Sequence, residues 1–154
     1  MSPESLACLG GALALAGGLL GSAIGIGIAA SAGLATLSED SGQFRNVIIL
    51  SSLPMTQSFY GLIVLILVLT SVIPTLPAEG SSGFTVLGAC LIATFAFAAS
   101  AIYQGSVCAA GNSLLPKTKG GILTSSMMLA VFVELIAVLG LVFTIMAFTM
   151  LGVM

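Results

Sequence analysis

Apolar residues fill four long stretches of the chain, and short polar segments separate them. Each stretch exceeds the roughly 20 residues that a helix needs to cross the hydrocarbon core of a bilayer. At ~1.5 Å per residue, helices of this length would project beyond the bilayer into water at their ends. We therefore predict an all-α membrane protein with four transmembrane helices, near 5–36, 46–73, 84–112 and 122–152.

The second half of the chain repeats the first. SAIGIGIAASAG at 22–33 matches SAIYQGSVCAAG at 100–111 at six of twelve positions with an offset of 78, and YGLIVLI aligns with LGLVFTI at an offset of 79. The repeat unit is a helical hairpin, 5–73 in the first copy and 84–152 in the second. An even number of spans in each unit makes the two copies parallel. We predict a single membrane domain over residues 1–154, built from two tandem hairpins.

Composition supports a membrane protein and excludes a soluble one. Of the 154 residues, 58% are hydrophobic and 5% are charged, and there is no His or Trp. A soluble domain carries roughly a quarter charged residues. The three Lys or Arg residues are too few for a basic patch, which excludes nucleic acid as a partner. We interpret the three cysteines, odd in number and placed in apolar runs, as small core residues rather than a disulfide or metal set.

Positive charge predicts the orientation of the chain in the membrane. Arg45, Lys117 and Lys119 lie in or beside the first and third connections, whereas the middle connection and the N-terminal flank carry only acidic residues. The N-terminal flank also lacks the positive charge of a cleaved signal peptide. The positive-inside rule places both termini outside the cell and two loops in the cytoplasm, 37–45 and 113–121.

Small residues form stripes along the first and third predicted helices. The stripes contain Gly17, Gly21, Gly25, Ala29 and Gly33 in the first helix and Gly105 in the third. Small side chains at every fourth position let helix backbones approach closely in lipid, where no hydrophobic force drives helices together. We expect these two helices to be packed on several sides, as in concentric rings of helices from several copies.

One carboxylate lies inside the fourth predicted helix. Glu134 has no charged residue among the fourteen before it or the twenty after it, and Met55 takes its place in the first hairpin. An ionised acid at the bilayer centre costs about 3 kcal/mol on insertion scales. The predicted helices contain no Lys, Arg or His to pair with it. Glu134 must therefore be protonated, hold a metal cation or meet a cation from another protein.

Polar groups on the second and third helices are candidates to surround this acid. Helical spacing places four residues on one face of the second helix, Leu53, Thr56, Gln57 and Tyr60. Gln104 is the one large amide of the third helix, and the proline after Leu53 frees a backbone carbonyl. Neutral oxygens around one carboxylate suit a monovalent cation, whereas calcium prefers more carboxylates. A purely structural role as interhelical hydrogen bonds, worth ~0.6 kcal/mol each, stays open at this point.

Three motifs on the two hairpins carry a family resemblance. PMTQSFYG in the second helix, YQG in the third and VELIAVLG in the fourth resemble the sixteen-kilodalton proteolipid of V-type ATPases. The similarity is greatest to the bacterial sodium-translocating type, the component of the rotor ring known as K or c. It implies a non-catalytic subunit in the plasma membrane of a bacterium or archaeon, in a ring of identical copies surrounded by lipid. It also implies a membrane stator subunit with an intramembrane arginine, and central-stalk subunits at the cytoplasmic loops.

The resemblance also implies roles for the residues of the motifs. Glu134 would be the ion-binding carboxylate, and Leu53 would give its backbone carbonyl to sodium. Side-chain oxygens would come from Thr56, Gln57 and Gln104. In proton-carrying relatives the T-Q pair and the glutamine of the third helix are usually not kept, so their presence here favours sodium as the bound ion.

Two further positions and three rival functions complete the expectations. Tyr60 would hydrogen-bond Glu134 and hold it in a locked state, and Met55 replaces a small residue expected there, which leaves the local geometry open. A proton-translocating V-type ring is the nearest alternative, with a proton alone as the carried ion. A small multidrug/proton antiporter and a pore- or junction-forming membrane protein are more remote.

Overall fold

The structure is a computed structural model that describes residues 2–77 and 80–154, and in these residues it contains four long helices and no strand. All four are long and apolar enough to cross a membrane, which confirms the predicted architecture: α1 (Pro3–Glu39), α2 (Ser41–Thr75), α3 (Ser82–Thr118) and α4 (Leu123–Met150). Glu79, the acidic residue of the middle connection, lies outside the described residues.

The third connection is shorter than the predicted loop 113–121, because α3 continues through Thr118. Pro116 cannot donate to the carbonyl of Asn112 four residues back, and Thr36 Oγ1 on α1 donates to that oxygen instead, at 2.7 Å. The helix ends where Lys119 adopts a left-handed conformation, with φ of 50°. A hydrogen bond from α1 therefore satisfies the carbonyl that Pro116 leaves free. The sequence predicted Pro116 in a loop, but it lies in the last turns of α3.

The first connection is also shorter than the predicted loop 37–45. Helix α1 continues to Glu39, and a 3-10 turn begins α2 at Ser41. Asp40 joins them: its Oδ1 accepts the backbone N–H of Gly42 at 3.0 Å and its Oδ2 accepts Nε2 of Gln43 at 3.0 Å. Both carboxylate oxygens of Asp40 thus stabilise the tight turn between α1 and α2.

Helices α1 and α3 form an inner pair in close backbone contact. A methyl group added to Gly105 would meet the backbone of Gly25 on α1, and one added to Gly17 would lie 2.6 Å from the carbonyl oxygen of Thr94. Gly21 faces α3 in the same way, whereas Gly33 faces α2. The small residues of the two stripes therefore lie where neighbouring helices touch.

Helices α2 and α4 pack on the outside of this pair. Gly61 of α2 lies against the backbone of Ala14, because an added methyl group would be 2.7 Å from the Ala14 carbonyl oxygen. On α4, a methyl group added to Gly140 would be 2.6 Å from Cβ of Ala96 on α3. The bundle thus has two layers, with α1 and α3 in one and α2 and α4 in the other.

The two short connections lie at one end of the bundle. Gly120, between α3 and α4, approaches the side chains of Gln43 and Asn46 at the start of α2. The three cationic residues of the chain, Arg45, Lys117 and Lys119, therefore share this end. At the opposite end, Thr75 Oγ1 donates to the carbonyl of Val153 at 2.7 Å.

Replacement of Gly105 by Ala should destabilise the bundle, since the new methyl group would meet backbone atoms of Gly25, which cannot move aside as a flexible side chain can. Overpacking of this kind costs typically about 1–3 kcal/mol. The matched control is Gly88→Ala on the same helix, where an added methyl group has nothing within 4 Å. Circular dichroism of the purified protein in detergent should show a lower unfolding midpoint for Gly105→Ala alone. Equal midpoints for the two variants would contradict the close approach of α1 and α3.

Candidate ion-binding site

The site begins at a break in α2. Pro54 has no N–H to donate, and the backbone of Leu53–Met55 tightens into a 3-10 turn between two α-helical segments. The Leu53 carbonyl accepts the backbone N–H of Thr56, and Thr56 Oγ1 lies 3.3 Å from the same oxygen. The break therefore places a backbone carbonyl and a hydroxyl oxygen side by side.

Gln57 extends this group of oxygens toward α3. Its side chain is fully buried, and its Nε2 donates to Ser100 Oγ at 3.1 Å and to Gln104 Oε1 at 2.8 Å. Both amide protons are thereby used. The other end of the amide, Oε1, lies 3.1 Å from Thr56 Oγ1. The amide oxygen thus faces the Thr56 hydroxyl, and the amide nitrogen faces α3.

Gln104 connects this group to the carboxylate. It is fully buried on α3, and its Nε2 donates to Glu134 Oε2 at 3.2 Å and to the carbonyl of Ala130 at 3.3 Å, both on α4. Its Oε1 is thereby directed away from α4 and toward Gln57. One residue of the inner layer thus bridges the two outer helices.

Glu134 is held by neutral donors on two other helices. Its Oε1 accepts the hydroxyl of Tyr60 at 2.8 Å, and its Oε2 accepts the Gln104 amide. The Tyr60 ring packs against Phe97 of α3, with ring centroids 6.1 Å apart. Within the described residues, neither hydrogen-bond partner of Glu134 is charged, so these hydrogen bonds bring no positive charge to the carboxyl group.

The structure brings all the predicted site residues together. One connected set of polar contacts runs from the α2 break through α3 to α4 and contains Leu53, Thr56, Gln57, Tyr60, Gln104 and Glu134. No cluster of three or more His, Cys, Asp or Glu residues that could hold a metal ion occurs in the described part of the chain. The set combines one carboxylate with neutral oxygens, which suits an ion of single charge.

Met55, whose effect the sequence left open, lies in the 3-10 turn. Its side chain is 42% exposed, whereas the neighbouring Pro54 and Gln57 are buried. The buried part of the turn is thus formed by its neighbours, and Met55 lies on the outer surface of the bundle.

Sequence reasoning assigned no role to Ser100 and Asn112, two buried polar residues of α3. Ser100 contacts Gln57, and Asn112 Nδ2 donates to the carbonyl of Ala29 at 2.8 Å and to Ser51 Oγ at 3.2 Å, which ties α3 to α1 and α2. A lone serine or asparagine in an apolar helix gives no signal of its partners. For Ser100, the available hints were its position four residues before Gln104 and its repeat with Ser22.

Comparisons with known proteins match the two hairpins separately. A family model that describes the C subunit of ATP synthase matches residues 9–68 and 87–147. The K subunit of the A-type ATP synthase of Methanocaldococcus jannaschii is 39% identical over 141 residues, which cover 91% of this chain and 62% of that protein. The K subunit of the V-type sodium ATPase of Enterococcus hirae is 34% identical over 123 residues, which cover 80% of this chain and 77% of that protein. The chain thus spans less than two thirds of the first relative's length.

Removal of the Tyr60 hydroxyl should remove one hydrogen bond to Glu134 without disturbing the packing of the bundle. In Tyr60→Phe the ring can still pack on Phe97, but Glu134 Oε1 loses its donor. A hydrogen bond to a charged group contributes roughly 1.5–3 kcal/mol, so a carbodiimide that reacts with protonated carboxyl groups should label Glu134 at least about tenfold faster. Tyr103→Phe is the matched control, since Tyr103 is 67% exposed. Unchanged labelling in Tyr60→Phe would show that this hydrogen bond does not hold the carboxylate.

Proposed function

Since this chain belongs to the family of ATP synthase C subunits, we propose that it is a rotor ring subunit of a V- or A-type rotary ATPase and carries one sodium ion on Glu134. Members of the family assemble into homo-oligomeric rings, and the four apolar helices make the chain a multi-pass membrane protein. The observation that carries the proposal is the single carboxylate joined by hydrogen bonds to a set of neutral oxygen-bearing side chains.

Charge balance supports a monovalent cation. One sodium ion and one ionised Glu134 sum to zero, and the neutral pair avoids the cost of about 3 kcal/mol for a charge at the bilayer centre. Carboxylate and carbonyl oxygens are the ligands that hard cations prefer. In the proposal, these are a Glu134 oxygen, the Leu53 carbonyl and the side-chain oxygens of Thr56, Gln57 and Gln104.

The hydrogen bonds to the carboxylate favour sodium over a proton. The Tyr60 hydroxyl and the Gln104 amide each donate to a different oxygen of Glu134, as suits an ionised carboxylate, which only accepts. A bound proton would add a donor at one of these oxygens, and neither contact uses a donor on Glu134. The proton also needs no carbonyl ligands, whereas here a fully buried glutamine brings its oxygen to Thr56. The name of the Enterococcus hirae relative, part of a sodium ATPase, points in the same direction.

In the proposed mechanism, the ring turns against a stator in the membrane. Sodium enters from a half-channel, binds Glu134 and neutralises it, so that the loaded site can face lipid. A stator arginine then displaces the ion from the carboxylate on the other side of the ring. Rotation is coupled to ATP hydrolysis or synthesis in a separate soluble headpiece, and the chain itself catalyses nothing.

The proposed orientation rests on the positions of the cationic residues, and the proposed partners rest on the family resemblance. Its end with Arg45, Lys117 and Lys119 would face the cytoplasm and contact central-stalk subunits, by the positive-inside rule. Both termini would then lie outside a bacterial or archaeal plasma membrane. Lipid would surround the outer layer of helices, and identical copies would lie on both flanks.

Sodium should protect Glu134 from carbodiimide, because a bound ion excludes the protonated form with which the reagent reacts. We expect millimolar sodium to slow labelling of the wild-type ring severalfold at a pH where the acid is partly protonated, and potassium at equal concentration to leave it unchanged. The measurement is the labelled fraction by mass spectrometry over time. If sodium gives no protection while lower pH accelerates labelling, the ring carries protons.

Glu134→Gln should abolish ion transport coupled to ATP turnover, since a neutral amide lacks the negative charge that attracts and balances the cation. Sodium uptake into vesicles that contain the whole complex measures this directly. Glu4→Gln is the control, because Glu4 is exposed at the start of α1 and should leave uptake unchanged. Retained coupled uptake in Glu134→Gln would show that transport does not depend on this carboxylate.

The oligomeric state separately distinguishes a rotor from an antiporter. A large ring that survives heating on detergent gels would favour the rotor.

A further inference from the structure

Ser100 is hydrogen-bonded to the polar set through Gln57, although it is not one of the proposed ligands. Its side chain is 2% exposed, on the face of α3 between α2 and α4. Its Oγ accepts a hydrogen bond from Nε2 of Gln57 at 3.1 Å and donates one to the carbonyl of Val133 at 2.9 Å. Val133 directly precedes Glu134, so one hydroxyl connects the α2 amide to the backbone beside the carboxylate.

Counting protons assigns a direction to each of these bonds. A serine hydroxyl has a single proton, and Ser100 donates it to the Val133 carbonyl. Toward Gln57 it can therefore only accept, which requires the Gln57 nitrogen rather than its oxygen on this side. The second proton of that nitrogen goes to Gln104 Oε1. The Gln57 oxygen is thus left on the side of Thr56.

We infer that Ser100 is a positioning residue that sets the orientation of the Gln57 amide and so selects for sodium, an inference that rests on the proposed function. An amide rotated by 180° would present its NH₂ donor beside Thr56, where the proposed ion needs an oxygen. Ser100 opposes this rotation, because its hydroxyl offers only an acceptor. The Gln104 oxygen opposes it as well, so loss of Ser100 weakens the preference without removing it.

The consequence differs between the two ions that the site could bind. Sodium uses the Gln57 oxygen, so its affinity falls when that oxygen is presented only part of the time. A proton on Glu134 uses no such ligand, so labelling of Glu134 in the absence of sodium should be unchanged. A role of Ser100 in packing alone would instead change both quantities or neither.

The chain contains a matched control in its first hairpin. Ser22 occupies the repeat position of Ser100, is 3% exposed, and its Oγ has no hydrogen-bond partner among the described residues. Ser22→Ala therefore removes the same atom from an equally buried helix position without touching Gln57. Ser100→Cys gives a second comparison, since a thiol leaves no cavity, although its sulfur is larger than oxygen, and is a weak hydrogen-bonding group.

The experiment measures the sodium concentration that gives half protection of Glu134 from carbodiimide in intact rings. We expect it to rise about fivefold in Ser100→Ala and in Ser100→Cys, the effect of one hydrogen bond of ordinary strength. It should be unchanged in Ser22→Ala, and the sodium-free labelling rate should be the same in all three variants and in wild type. If Ser100→Ala fails to assemble, Ser100→Cys provides the same comparison.

Two results would overturn the inference. Half protection at the wild-type sodium concentration in Ser100→Cys would show that the hydroxyl does not orient Gln57. A change in the sodium-free labelling rate equal to the change in half protection would show a general disturbance of the site. Failure of sodium to protect wild type would instead overturn the proposed function itself, so the two failures are distinguishable.

Discussion

The structure depends on one electrostatic constraint, the position of a single, partly buried carboxylate in an apolar bundle whose described residues offer it no fixed positive charge. Tyr60 and Gln104 orient Glu134 through one hydrogen bond to each oxygen, but neutral donors cannot cancel its charge. The three cationic side chains lie at one end of the bundle, near the short connections. In the proposed function a mobile cation balances this carboxylate, and the neutral oxygens around it favour an ion of single charge.

The rest of the bundle serves to bring these oxygens together. Gly18 of α1 lies directly against the Gln57 carbonyl, where a larger residue would push α2 outward, and Gly25 approaches Pro54 at the break in that helix. The close contact of Gly25 with Gly105 then brings α3 to the same place. Small residues of the inner layer therefore determine how near the α2 amide comes to Gln104. The stripes of small residues thus set the spacing of the helices that carry the polar site.

Much of this could be predicted from the sequence, because the relevant signals are local. Four apolar runs specify four helices, an isolated acid marks Glu134, and i, i+3, i+4 and i+7 spacing places Thr56, Gln57 and Tyr60 on one face. The end of α3 was predicted too early, since the helix is extended by a contact between Thr36 and a carbonyl 76 residues away in the chain. The role of Ser100 also depends on partners in two other helices. A sequence read one segment at a time contains no signal for such pairings.

The first hairpin has Met55 at the repeat position of Glu134, so only the second hairpin carries a carboxylate. This has a consequence for the energetics of the proposed rotor. With one carboxylate for every four helices, a ring of given circumference transfers half as many ions per revolution as a ring with one carboxylate in every hairpin. The free energy released by the headpiece in one revolution is then divided among fewer ions. Each ion of the proposed rotor can then be moved against a steeper electrochemical gradient for the same free energy per revolution.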